Sequence, residues 1–99
     1  MTQCVSAIVR DKRGRVLSVG RNSYTKTHPL QAKAAQEVGE PYKIFLHAEI
    51  DALVRLRNPS KAASIHVYRY DKAGNPVKAA PCKICQRVIR EWNLQVFHT

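Results

Sequence analysis

Two short groups of metal-binding residue types, each at the head of a predicted helix, constrain this chain more than any other feature. Pro81-Cys82-Lys83-Ile84-Cys85 opens one helix; His47-Ala48-Glu49 opens another, and 31 residues lie between Glu49 and Pro81. Two thiolates with two residues between them at a helix N-terminus can bend toward one ion, because the free backbone N–H groups and the positive end of the dipole favour deprotonated sulfur. A neutral imidazole from His47 supplies a third ligand. Three protein ligands on a tetrahedral ion leave a fourth position for water, which separates catalytic zinc from closed structural zinc. Glu49, two residues beyond His47, need not be a ligand itself and can sit beside the bound water.

The rest of the chain arranges itself around these groups. Val5–Val9 and Val16–Val19 are β-rich runs separated by Asp11-Lys12-Arg13-Gly14, which predicts a hairpin whose glycine takes a positive φ. From Arg21 to Phe45 strand character is lost, and Pro29 can start a short Ala/Gln-rich helix ending near Gly39. In 47–57, Ile50, Leu53, Val54 and Arg57 recur at i, i+3, i+4 and i+7, until Asn58-Pro59 stops the helix. Ile65–Tyr70 is a strand ended by Gly74-Asn75-Pro76, Cys82–Glu91 a helix, and Leu94–Phe97 a final strand, with Trp92 anchoring the last helix in the core. The order β-β-α-β-α-β predicts one domain over residues 1–99, an α/β sandwich of three-layer type with a mixed sheet of four to five strands. Its last two strands should be parallel.

Composition limits the class. A chain of 99 residues has room for one small domain, which a metal or a partner subunit would help to stabilise. No apolar run approaches the ~20 residues of a membrane span, and the N-terminus lacks a secretory pattern, so no membrane association and a cytoplasmic location are expected. Three cysteines cannot all pair within the chain, and Cys4 is expected as a buried thiol. The 17 Lys and Arg against 7 Asp and Glu give a net charge of +10, spread over both halves without a basic tail. An anionic partner is expected, either a phosphorylated small molecule or a polynucleotide.

Taken together and in this order, His47-Ala48-Glu49 and Pro81-Cys82-Lys83-Ile84-Cys85 resemble the zinc-dependent cytidine and deoxycytidylate deaminase superfamily, whose signature is H-x-E followed by P-C-x-x-C. The resemblance implies that His47, Cys82 and Cys85 hold Zn2+ and that Glu49 moves protons as an exocyclic amine is replaced by a carbonyl and ammonia leaves. It further implies that the backbone N–H of Ala48 binds a pyrimidine carbonyl oxygen and that Asn22 contacts the sugar. The family usually begins with a helix before the hairpin, and none is predicted here. The sheet face it would cover is then either taken by another subunit, as in a homo-oligomer, or covered by the 21–45 segment.

Other readings stand beside this one. Cys82 and Cys85 alone can form a redox pair, and a closed structural site would need a fourth ligand from Cys4, His28, His66 or His98. Substrate choice rests on the walls, expected from 21–46 and 68–80. There Tyr24, Tyr42, Tyr68 and Tyr70 are candidates for stacking on a base, Lys26, Arg69, Lys72 and Lys78 for phosphate, and His28 for a substrate contact. The expected substrate is a free cytosine nucleoside or nucleotide. The alternatives are cytosine or adenine in single-stranded DNA or RNA, and a non-catalytic nucleic-acid-binding module that keeps the zinc fold.

Overall fold

The computed structural model describes residues 4–23, 25–43 and 45–99, and the backbone but not the side chain of Cys4. The expectations for Tyr24 and for the Cys4 thiol therefore lie outside the described residues. Strands β1 (Cys4–Arg10), β2 (Val16–Arg21), β3 (Ser64–Tyr70) and β4 (Gln95–His98) form one mixed sheet in the order β2-β1-β3-β4. Helices α1 (Pro29–Glu37), α2 (Ala48–Val54) and α3 (Lys83–Glu91) complete the α/β fold.

The β1–β2 hairpin is antiparallel as the turn residues predict: Gly14 N–H bonds to Asp11 C=O at 3.0 Å, and Gly14 has a φ of 82°. Val9 faces Ser18, whereas Arg10 faces Val16, so a bulge shifts the register at that end. β3 pairs antiparallel with β1 and parallel with β4, as the intervening helix requires.

Helix α1 has Pro29 in its first turn, and the Leu30 N–H donates to His28 Nδ1 at 3.0 Å. It closes in a Schellman motif, with Gly39 N–H bonded to Gln36 C=O, Glu40 N–H to Ala35 C=O, and Gly39 at positive φ. α2 is shorter than its periodicity predicts and stops at Val54 rather than Arg57. Leu56 N–H bonds three residues back to Leu53 C=O, tightening the last turn, and Pro59 keeps Asn58 out of the helical region before a short 3-10 turn over Pro59–Lys61.

One face of the sheet carries the core. Alternate residues Ala7, Val9, Ile65 and Val67 are buried there against Ile50 and Leu53 of α2 and Ile84, Val88 and Ile89 of α3. α1 packs on α3, where the Arg87 guanidinium pairs with the Glu37 carboxylate. The described residues thus build two layers, a sheet and its helices, where three were expected. The 21–45 segment has not taken over the second face, because α1 lies on α3 and not on the sheet.

α2 sits unusually close to β2, and Gly20 is the reason. A Cβ at Gly20 would collide with Ala52 N and Ala48 C=O and lie 2.8 Å from Ala52 Cα. Two hydrogen bonds fix the approach, from Ser18 Oγ to Ala52 C=O at 2.7 Å and from Arg21 N–H to Asp51 Oδ2 at 2.9 Å.

Candidate metal centre

Both helices that bear ligand-type residues begin at those residues. His47 is the N-cap of α2, and Cys82 is the N-cap of α3 with Cys85 inside its first turn. An N-cap has an extended backbone, which turns its side chain across the helix end instead of along the barrel. The segment before α3 is held by Val77 N–H to Arg69 C=O at 2.9 Å and Ala79 N–H to Thr99 C=O at 2.9 Å, which brings Cys82 over the start of α2.

His47 Nδ1 consequently lies 3.4 Å from Cys82 Sγ and 3.3 Å from Cys85 Sγ, and all three ligand atoms fall within 4.8 Å of one another. A tetrahedral ion of zinc type, with metal–sulfur bonds of about 2.3 Å and metal–nitrogen bonds of about 2.0–2.1 Å, separates nitrogen from sulfur by about 3.5 Å. The three side chains fit such an ion with little movement, and His47, Cys82 and Cys85 can hold a metal ion. Among the described residues, no other His, Cys, Asp or Glu joins this group. Of the proposed fourth ligands, His28 caps α1, His66 Nε2 pairs with Ser64 Oγ at 3.0 Å, and His98 Nδ1 faces Thr99 C=O at 2.9 Å.

The electrostatics divide the three ligands. A hydrogen bond from Cys85, then one from His47, pulls the Cys82 thiol down to about 3 against the opposing effect of burial. Its bond to Cys82 and burial push the Cys85 thiol well up, and the same sulfur of Cys82 raises His47. Cys82 is the sulfur most readily deprotonated, and because ligands bind a metal in their deprotonated form, a cation at this site works against the upward shifts of His47 and Cys85.

Glu49 is 6% exposed and lies in the first turn of α2 beside these residues. Burial raises its carboxyl above the ordinary range, only partly offset by its own backbone N–H and by Cys85. It is not a member of the ligand group, and its carboxyl interacts with Cys85 and His47 beside the centre.

A cleft of about 480 Å3 opens over His47, Glu49 and Cys82. Asn22, Tyr42, Ala48 and Arg69 line it, and both segments expected as walls, 21–46 and 68–80, contribute residues to the lining. The bridge between Thr27 and Phe45, with Ser23 N–H to Leu46 C=O at 2.9 Å, joins the two loops that form one wall. Asn22 Oδ1 accepts from Val5 N–H at 3.2 Å, which fixes its side chain at the rim. Tyr68 and Tyr70 stand two residues apart on β3, across the sheet from Arg69, and point away from the cleft; Lys72 and Lys78 are exposed.

Sequence reasoning missed two residues that place the histidine. Gln31 is fully buried in α1, where its Oε1 accepts the His47 N–H at 3.3 Å and its Nε2 donates to Lys43 C=O at 3.1 Å. Gly20 sets the depth of α2 and therefore of His47 and Glu49. A glycine inside a strand pattern signals a close backbone approach, and that signal is present at Gly20. No protein-family model matches this chain, and no curated protein matches it in sequence.

Proposed function

We propose that this chain is a zinc-dependent hydrolytic deaminase, of the cytidine and deoxycytidylate deaminase type, acting on the cytosine of a free nucleoside or nucleotide. The observation that carries the reading is the pairing of a ligand group of two sulfurs and one nitrogen with a separate, buried carboxyl at the floor of one cleft. Two thiols and one imidazole are a donor set that suits zinc. A redox pair or a closed structural site gives Glu49 no task. Zinc held by His47, Cys82 and Cys85 acts as a Lewis acid that makes water nucleophilic at neutral pH.

The chain's own residues supply the remaining chemistry. Glu49, with a carboxyl raised by burial, takes the proton from the attacking water, delivers one to the ring nitrogen beside the attacked carbon, and passes another to the departing amine. The exocyclic amine leaves as ammonia and the ring keeps a carbonyl. Ala48 is the first residue of α2, and its backbone N–H, which has no partner inside the helix, donates to the pyrimidine carbonyl. Asn22, braced by Val5, orients the sugar. Arg69 and Lys43 line the same cleft as cations and favour a nucleotide over the bare nucleoside.

The direct test offers the zinc-loaded protein cytidine, deoxycytidine, their monophosphates, adenosine, and cytosine- or adenine-containing single strands. Product is read as a mass gain of about 1 Da, as an amine becomes a carbonyl. Conversion of the monomers with preference for the monophosphates is expected. Conversion of strands alone would move the substrate to polynucleotides, and no product from any of them would remove the deaminase reading.

A further inference from the structure

The face of the sheet turned away from the metal centre carries a row of apolar and aromatic side chains. Cross-strand registers align Val19, Ile8, His66 and Phe97, one from each strand. The His66 and Phe97 rings stack with centroids 4.8 Å apart and planes 13° from parallel. Phe97 is 45% exposed, Val19 46% and Tyr70 42%, so no described element covers this row. Tyr68 and Tyr70 continue the aromatic surface along β3, on the same side as His66.

The strand residues that form this face carry charge of one sign. None of the four strands contains an Asp or Glu. Arg10 and Arg21 share the face by strand alternation, Arg10 beside Ser64 and Arg21 beside Ser6. The carboxylates lie on α1, α2, α3 and the loops. A second copy docking through a two-fold axis would bring the Arg10 and Arg21 of both copies into one interface, with no strand acid on either face to answer them. Exposed π-faces on strands whose charged residues are all cations instead match unpaired bases joined by phosphates, since every base can stack and every phosphate is anionic.

From this face we infer a second binding site, separate from the cleft, at which a single-stranded polynucleotide stacks its bases on Phe97, Tyr68 and Tyr70 and sets its phosphates on Arg10 and Arg21. The inference does not depend on the deaminase reading, because the two surfaces lie on opposite sides of the sheet.

The test is fluorescence anisotropy of a labelled oligothymidylate of about 15 nucleotides, within the span that such stacking sites cover, with the zinc-loaded protein at low salt. Thymine lacks the amine on which the cleft would act. Binding is expected to weaken steeply with salt and to resist competition by duplex DNA of equal length. Phe97→Ala and Tyr70→Ala should each weaken it by roughly 5- to 100-fold, and Arg10→Ala should lower the salt slope by about one. The double variant Lys33→Ala, Arg90→Ala, on exposed positions of α1 and α3, should change affinity far less. If Phe97→Ala does not fold, Tyr70→Ala at the strand end carries the test. The site is overturned by absence of binding, by duplex competing equally, by the helix variant costing as much as the aromatic ones, or by sedimentation showing a dimer that Tyr70→Ala dissociates.

Discussion

The side-chain amide of Gln31 accepts the backbone N–H of His47 at 3.3 Å, so a residue buried in α1 holds the start of α2 where the candidate metal-ligand histidine leaves the chain. Its other end donates to Lys43 C=O, which makes the amide a brace between helix and loop. Gln31→Leu keeps the approximate volume but leaves the part-buried His47 N–H and Lys43 C=O without this partner. A loss of about 1–3 kcal/mol in unfolding free energy is expected. Zinc affinity should fall by roughly 10- to 100-fold, as for other groups that orient a ligand. Urea unfolding and chelator competition measure the two, and unchanged zinc affinity would show that the brace does not position His47.

Gly20→Ala places a methyl group against the backbone of α2, which cannot swing aside as a side chain would. Overpacking of this kind costs about 1–3 kcal/mol, and contact with backbone puts this case at the upper end. Because α2 carries Glu49 and follows directly on His47, turnover should fall further than stability alone explains. Denaturation midpoints set beside kcat at a temperature where the variant is folded would reveal the difference.

Glu49→Gln separates metal binding from proton transfer. The amide cannot accept and return a proton, so kcat should fall by at least about 10^2- to 10^4-fold while one zinc per chain is retained. Burying a neutral amide also avoids the cost of a buried carboxylate, so the variant should melt no lower than the parent. Metal analysis, melting curves and the deamination assay check this together, and an active variant would remove Glu49 from its proposed role.

His66 gives the fold a pH dependence distant from the metal. Burial, and then the charge of Arg10, hold its pKa below the ordinary 6.5. The unfolded chain therefore takes up a proton before the folded one does. The contribution of His66 to stability is constant above about pH 6.5 and falls as pH drops through the interval down to the folded pKa. His66→Phe removes the titration and keeps a ring on Phe97, so stability measured from about pH 7.5 to about pH 5, across the range in which a histidine titrates, should slope less in the variant. An equal slope would assign the effect to other groups.

The parts of the site legible in the sequence are those whose meaning is local. His47, Glu49, Cys82 and Cys85 reveal themselves through spacing within one helical turn, and the helix between the last two strands lets one predict that β3 and β4 run parallel. Gln31 and Gly20 act at a distance, on a residue 16 positions away and on Ala48 and Ala52 of the helix packed over β2, and a polar residue in an Ala/Gln-rich helix resembles surface until its neighbours are known. The period of two in β3 decides the walls: Arg69 faces the cleft with Val67, so Tyr68 and Tyr70 belong to the other face. Nothing local in the sequence marks the sheet face turned away from the helices as aromatic and without strand acids.

The central claim is that His47, Cys82 and Cys85 together bind one ion and leave it one position open. Zinc-edge X-ray absorption of the purified protein tests this most directly. The account predicts one zinc per chain with two sulfur neighbours at about 2.3 Å and two nitrogen or oxygen neighbours at about 2.0 Å, and loss of the metal in Cys85→Ala. A protein that binds no zinc, or a zinc shell with three or more sulfurs, would contradict it.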